Sequence, residues 1–320
     1  MIVVTGGAGF IGSAVVRRLL QLGHEVRVVD DLSKGRTANV PEGCEVIEGD
    51  VSDPEVTARA LKDAEACFHL AAKIGGIGYF HKFPADILDD NNLMLSAIFR
   101  TALETGTKIV YVSSSMVFER TEEFPTPESA LDRSAPPFSA YGFSKLVGEW
   151  YCRAFHDQFG VPFAIARPFN AYGTGEFPEA EPGLAHVIPD LIKKVLDGRR
   201  PIELFGDGSQ TRSFTYVDDV GDAIATIGLH PTGAGEDFNI GTGVETSVRE
   251  LLGTLWRLCG EDGDPDVSNV ATLPVDVQRR VPDVSKINTM LGWSAKVPLE
   301  EGLARTVEWY RSQGRALTIW

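Results

Sequence analysis

The chain has 320 residues, 30 Lys+Arg against 45 Asp+Glu, a formal net charge of −15, and 43% hydrophobic against 23% charged residues. That mixture excludes a disordered or collagen-like chain, and the length leaves room for one large domain or two coupled ones. The acidity, with no block of Lys/Arg to offset it, speaks against a nucleic-acid binder, and no apolar stretch approaches the roughly 18 residues of a membrane span.

Cys44, Cys67, Cys152 and Cys259 form no CxxC pair, and the six histidines show no ligand spacing. Neither a disulfide framework nor a bound metal is expected. The N-terminus, Met1-Ile2-Val3-Val4-Thr5-Gly6, lacks a basic leader region and runs directly into a strand, so the expected setting is cytoplasmic.

In chain order, short Val/Ile-rich runs at 2–4, 26–29, 44–47, 66–70, 109–112 and 163–166 read as strands buried on both faces of a parallel sheet. Amphipathic stretches separate them. Residues 10–22 place Ile11, Val15, Leu19 and Leu22 on one face, and 86–104 carries Ile87, Met94, Leu95, Ile98 and Ala102. The alternation predicts a Rossmann-type α/β fold, a doubly wound parallel sheet. After Pro168 the texture changes to an acidic Gly/Pro-rich loop at 173–183. Then come a helix near 186–196, a strand near 202–204, a helix near 217–229, a capping box at Ser247–Glu250 and a last helix over 299–311. We expect a nucleotide-binding domain over 1–167, with 212–240 returning to it. A smaller C-terminal α/β substrate-binding domain would comprise 168–211 and 241–320.

Gly6, Gly9 and Gly12 follow the first strand and open the first helix, a spacing that admits a pyrophosphate at the helix N-terminus. Asp30 ends the second strand, where a carboxylate accepts hydrogen bonds from ribose hydroxyls and repels a 2′-phosphate. NAD is therefore favoured over NADP. Asp50 either meets the adenine edge or caps a turn before Asp53; position alone does not separate the two.

Ser113, Ser114 and Ser115 follow the strand at 109–112, at the sheet end where such folds bind ligands. Tyr141 and Lys145 lie one helical turn apart on one face. A nearby ammonium favours the phenolate, and lowering a tyrosine pKa from about 10 towards 7 takes roughly 4 kcal/mol. A tyrosine so tuned removes a proton from a sugar hydroxyl while hydride leaves, with a serine beside it holding or relaying that proton. An isolated YxxxK is usually a chance pair on a solvated helix. Its coincidence with the glycines, the strand-end serine and Asp30 argues otherwise.

With those residues in place, the chain resembles the extended short-chain dehydrogenase/reductase family, specifically its NAD-dependent nucleotide-sugar epimerases and dehydratases. The resemblance runs through TGGAGFIG (5–12), VVDDLS (28–33), HLAA (69–72), YVSSSMVF (111–118), YGFSK (141–145), RPFNAYG (167–173), GDGSQTRSFTYVDD (206–219) and RRVPDVSKINTMLGW (279–293). It implies Ser114, Tyr141 and Lys145 as catalytic residues. The cofactor contacts it implies are Gly6, Gly9, Phe10, Ile11, Gly12, Asp30, Asp50, Val51, Ala71, Tyr141, Lys145 and Phe169. For the substrate it implies Ser114, Ser115, Met116, Asn170 and His186, with Arg212 and Arg280 as the pyrophosphate arginines. It also implies a nucleotide-diphosphate sugar as substrate and a homodimer built on helices 86–104 and 140–158, although the same apolar faces would also serve to pack on the sheet.

Within the family, dehydratases place an acid pair where Ser115 and Met116 stand, and decarboxylating relatives tend to carry a Glu at the Met116 position. Both chemistries are weakened here. The segment 71–79 and the Arg212 region look most like GDP-mannose 3,5-epimerase and GDP-fucose synthase, whose second acid/base residue matches His186. Met116 replaces the Cys of that pair, and a thioether exchanges no proton. The least demanding reading is 4-epimerisation by transient oxidation at C4. The alternatives are 3- or 5-epimerisation through His186, a 4,6-dehydratase, and an NAD-binding sensor without turnover.

Overall fold

The computed structural model describes residues 1–74, 82–177, 186–271 and 277–313. The first half of the chain runs β1 (Ile2–Thr5), α1 (Phe10–Gln21), β2 (Val26–Asp30), β3 (Glu45–Glu48), α2 (Pro54–Leu61), β4 (Ala66–His69), α3 (Pro84–Thr105), β5 (Lys108–Val112) and α4 (Ala140–Phe159). It continues with β6 (Phe163–Pro168), β7 (Ala171–Tyr172), α5 (Val187–Leu196), β8 (Ile202–Phe205), β9 (Thr211–Arg212), β10 (Thr215–Tyr216), α6 (Val217–Leu229) and β11 (Asp237–Ile240). The rest is β12 (Thr246–Ser247), α7 (Val248–Leu258), β13 (Val267–Val270), β14 (Arg279–Arg280), α8 (Ser285–Leu291) and α9 (Leu299–Gln313).

Seven strands form one parallel sheet in the order β3-β2-β1-β4-β5-β6-β11. The order in which strands are added across the sheet reverses between β1 and β4, and the crevice at the carboxyl ends of those two strands is where such sheets take ligands. The Val/Ile runs are buried on both faces. One face packs Val15, Val16 and Leu19 of α1 with Val220 and Ile224 of α6. The other packs Leu95, Ile98 and Phe99 of α3 with Cys152 of α4. Gly148 lets α4 lie directly on β5, because a Cβ there would stand 2.2 Å from the Tyr111 ring and hydroxyl.

A second core gathers Ile188, Leu191 and Ile192 of α5, Leu251, Leu252 and Leu255 of α7, and Leu303 and Val307 of α9. It contains a two-stranded parallel pair, β8 with β13. The three-stranded sheet β12-β9-β14 also lies in this part of the chain. Helix α7 opens on the expected capping box, Ser247 with Glu250. The two cores meet around Asn170. Its left-handed backbone (φ 39°) and its Nδ2 donation to Ser213 O (3.3 Å) turn the chain from β6 into β7. Asparagine tolerates that conformation better than most residues.

Candidate active site

The glycine turn is built for close approach. Gly6 has φ +67°, and a Cβ on it would meet Ala71 N at 2.8 Å; a Cβ on Gly12 would meet Gly6 O at 2.0 Å. Ala71, at the end of β4, thus stands directly against the turn that follows β1. Helix α1 starts after Gly9 with no side-chain cap and no acidic residue in its first turn. The amides at Phe10 and Ile11 therefore face no carboxylate of their own helix. Asp30 is buried and accepts from Ala8 N and Leu32 N, both at 2.9 Å. Burial is the main cause that raises its pKa, with the two amide bonds opposing it.

Asp50 is exposed and accepts from Ser52 N at 2.8 Å, which is the turn-capping arrangement. Val51 points into the core beside Val3 and Val29. Phe169 is wholly buried against Val117, Phe118 and Ala130. Both side chains are packed in the core, and their backbones lie at the ends of the segments expected to meet the cofactor. The large apolar ring of Phe169 gains by filling that core.

Ser114, Tyr141 and Lys145 converge beyond the end of β5. Ser114 is the N-cap of the single turn at 115–118, and its Oγ accepts from Met116 N at 3.2 Å. Ser139 caps α4 through Gly142 N, which sets the register that turns Tyr141 and Lys145 inward, both buried. Ser114 is hydrogen-bonded to Tyr141. The Lys145 Nζ donates to Val112 O at 2.9 Å and lies 5.9 Å from the Tyr141 ring centroid.

The electrostatics differ from the expected depression of the tyrosine by the lysine. Burial pushes Tyr141 up to about 12, opposed by its bond to Ser114 and by the charge of Arg280. Burial likewise brings Lys145 down to about 8. Desolvation is the largest influence on both groups. His69, beneath Lys145, is bonded to Thr5 Oγ1 at 2.8 Å and held neutral, its pKa lowered to about 3 by burial and then by the Lys145 charge.

Met116 is buried against Tyr141 and Ile87, with Ile74 and Ala140 at the edge, so the wall beside the tyrosine is apolar. Ser115 is buried in the same turn. Arg212 and Arg280 are direct partners across the parallel pair β9–β14. The fold thereby brings two arginines from distant parts of the chain into register, and the charge of Arg280 acts on Tyr141. His186, just before α5, is about half exposed and pairs through Nδ1 with Glu176. Parts of the segment 71–79 and of the Gly/Pro-rich loop 173–183 lie outside the described residues.

One set of groups escaped the sequence reading. Ser113 Oγ donates to Glu149 at 2.6 Å, and Arg167 grips both oxygens of Glu149 at 2.7 and 2.6 Å. Arg167 also meets Asp237 at 2.6 Å. Glu149 lies four residues beyond Lys145, and Arg167 heads the RPFNAYG motif. The signal was a charged residue inside an apolar strand, which is rarely tolerated without a partner.

The profile of the family described as NAD dependent epimerase/dehydratase matches residues 2–241. The chain belongs to that family. A UDP-glucose 4-epimerase of Mycolicibacterium smegmatis is 34% identical over 319 residues, 98% of this chain and 99% of that protein. The crystal structure of the UDP-glucose 4-epimerase of Thermotoga maritima with UDP-glucose is 34% identical, covers 98% of this chain and 99% of that one, and superposes with a TM-score of 0.88. A probable GDP-L-fucose synthase of Oryza sativa is 30% identical over 96% of this chain and 90% of that protein. The synthase branch is thus one of several similar branches, at lower identity than the two 4-epimerases.

As in other members of the epimerase/dehydratase family, the cofactor is NAD. The residues present fit it. The uncapped amides of α1 suit a pyrophosphate, Gly6 and Gly12 allow the tight turn that presents them, and the Asp30 carboxylate suits a ribose diol.

Proposed function

We propose that this chain interconverts the C4 configuration of a nucleotide-diphosphate sugar, with UDP-glucose and UDP-galactose as the first pair to assay. The observation that carries the reading is the pairing of an intact Ser114–Tyr141–Lys145 constellation with a neighbour, Met116, that has no ionisable group. Proton transfer then stops at the C4 hydroxyl, and Met116 is not equipped to expel a substituent from C6.

Bound NAD supplies the hydride acceptor and later the donor, and its positive charge favours the phenolate inside the same buried enclosure. The Tyr141 phenolate takes the proton of the C4 hydroxyl while the C4–H bond breaks, which leaves a 4-keto sugar and a neutral phenol. Ser114, bonded to Tyr141, holds the oxygen in line. Met116 and Ile87 offer the sugar no hydrogen bond that would fix one of its faces, so the ketone is free to turn. Tyr141 then returns its proton to the oxygen as hydride reaches the other face. Arg212 and Arg280 hold the diphosphate, and Asn170 lies at the junction of the two cores, where the sugar nucleotide would cross.

Enolising epimerisation at C3 or C5 is the second reading. It is favoured by the His186–Glu176 pair, since a carboxylate on Nδ1 fixes the orientation of the imidazole. We assign a homodimer on the exposed apolar side chains Leu93 and Leu103 of α3 and Phe143 and Trp150 of α4. Four free thiols suit the reducing cytoplasm. The test is incubation with UDP-glucose, read by NMR. Wild-type enzyme should approach the epimer equilibrium. The Tyr141→Phe variant should lose about 10²–10⁴-fold in kcat, the usual worth of a positioned acid/base. Wild-type activity in that variant refutes the assignment.

A further inference from the structure

We infer that Ser113, Glu149 and Arg167 are positioning residues that hold Ser114 and Lys145 in their working geometry. The inference rests on the reading of Ser114, Tyr141 and Lys145 as the reacting constellation.

Two ties, one turn of α4 apart, grip consecutive residues at the end of β5. Lys145 Nζ holds the carbonyl of Val112 at 2.9 Å, and Glu149 Oε1 holds the hydroxyl of Ser113 at 2.6 Å. The next residue is Ser114. Lys145, Val112, Ser113 and Glu149 therefore form a closed ring through the α4 backbone, and any slip of α4 along β5 must break one of its two ties. Glu149 is itself fixed by the planar fork of Arg167 on β6. That fork continues to Asp237 on β11, and Asp237 to Lys286 on α8 at 2.7 Å. At the edge of the network Arg153 reaches Asp237 at 3.4 Å, and Lys286 also meets Glu236 at 3.0 Å.

Glu149 and Arg167 are 1% and 0% exposed. Packing alone does not account for such a pair, since apolar residues of similar volume fill such space as well or better. What an ion pair with a two-bond fork adds is direction. The Glu149 oxygen that faces Ser113 cannot rotate away while Arg167 holds both oxygens. Three adjacent strands and the C-terminal part of the chain thus converge on the residue preceding the catalytic serine.

Ser113→Ala tests this, because it removes only the hydroxyl tie and leaves the Glu149–Arg167 fork intact. The NAD-loaded enzyme carries ¹³C at tyrosine Cζ, with the Tyr141 signal assigned by Tyr141→Phe, and its titration is followed without any sugar. In Ser113→Ala the Tyr141 midpoint should rise as the bond from Ser114 loosens, while thermal stability stays near wild type. In turnover, kcat should fall about tenfold with KM within about twofold, the scale expected for a small misplacement of reacting groups. Ser113→Thr, which keeps the hydroxyl, should restore both. An unchanged Tyr141 midpoint in Ser113→Ala overturns the inference, as does a loss of kcat that Ser113→Thr fails to recover. Because the midpoint needs no sugar, it stands apart from the C4 reading, whose failure would show as wild-type enzyme that inverts no C4 centre.

Discussion

Replacing Arg167 by methionine removes the guanidinium bonded to both oxygens of Glu149, in a part of the core where neither side chain reaches solvent. Glu149 would keep only the Ser113 hydroxyl, and Asp237 would keep Lys286 and Arg153. Breaking a buried pair from one side costs about 3–5 kcal/mol, because a buried charge is left uncompensated. At roughly 2–4 °C per kcal/mol for a large domain, the melting temperature should drop by about 10 °C. The double change Glu149→Gln with Arg167→Met removes both charges and should recover most of that loss, giving a coupling of at least about 2 kcal/mol. Urea titration of the four proteins of the cycle measures it. Additive losses, or an Arg167→Met cost below about 1 kcal/mol, would refute the view that this pair is mutually required.

His69 has a folded-state pKa near 3 against an unfolded value near 6.5, so the unfolded chain binds the proton first. Stability from this group is complete above pH 6.5 and is lost as pH falls, by about 2 kcal/mol at pH 5. Denaturation of wild type and His69→Asn across that window should show a steeper fall for wild type, and parallel curves would contradict the assignment. Gly148→Ala forces a methyl to within 2.2 Å of the Tyr111 ring and should destabilise by about 2–3 kcal/mol or more, read as a lowered melting temperature. Asp30→Asn removes the charge from the carboxylate held by Ala8 N and Leu32 N. NAD affinity by calorimetry should weaken about tenfold, the worth of one charge-assisted bond, while NADP affinity rises relative to it.

The central sheet was legible because its strands are continuous Val/Ile runs punctuated by Gly and Pro, and because α1 and α3 carry clear apolar stripes. The nucleotide turn was legible for a related reason: Gly6, Gly9 and Gly12 are local in sequence and each has a steric task. What escaped was non-local. Strands of two residues such as β9 and β14 have no periodicity to read, so nothing in the sequence announced that Arg212 and Arg280 would be register partners. The buried ion network draws Glu149, Arg167, Asp237 and Lys286 from four separate elements and Ser113 from the residue after β5, and no local spacing links them. That the side chains of Phe169 and Val51 fill core space is likewise set by non-local packing. The tyrosine's charge balance also depends on total burial, which spacing along a helix cannot supply.

The central claim is that the protein inverts C4 by internal hydride return, and turnover in D₂O tests it most directly. NMR of the product sugar reports both configuration and deuterium. Inversion at C4 with no carbon-bound deuterium is the outcome required by Tyr141, Ser114 and an apolar wall at Met116. Deuterium at C3 or C5 would contradict it, showing that a carbon acid had been enolised and moving the chemistry to His186.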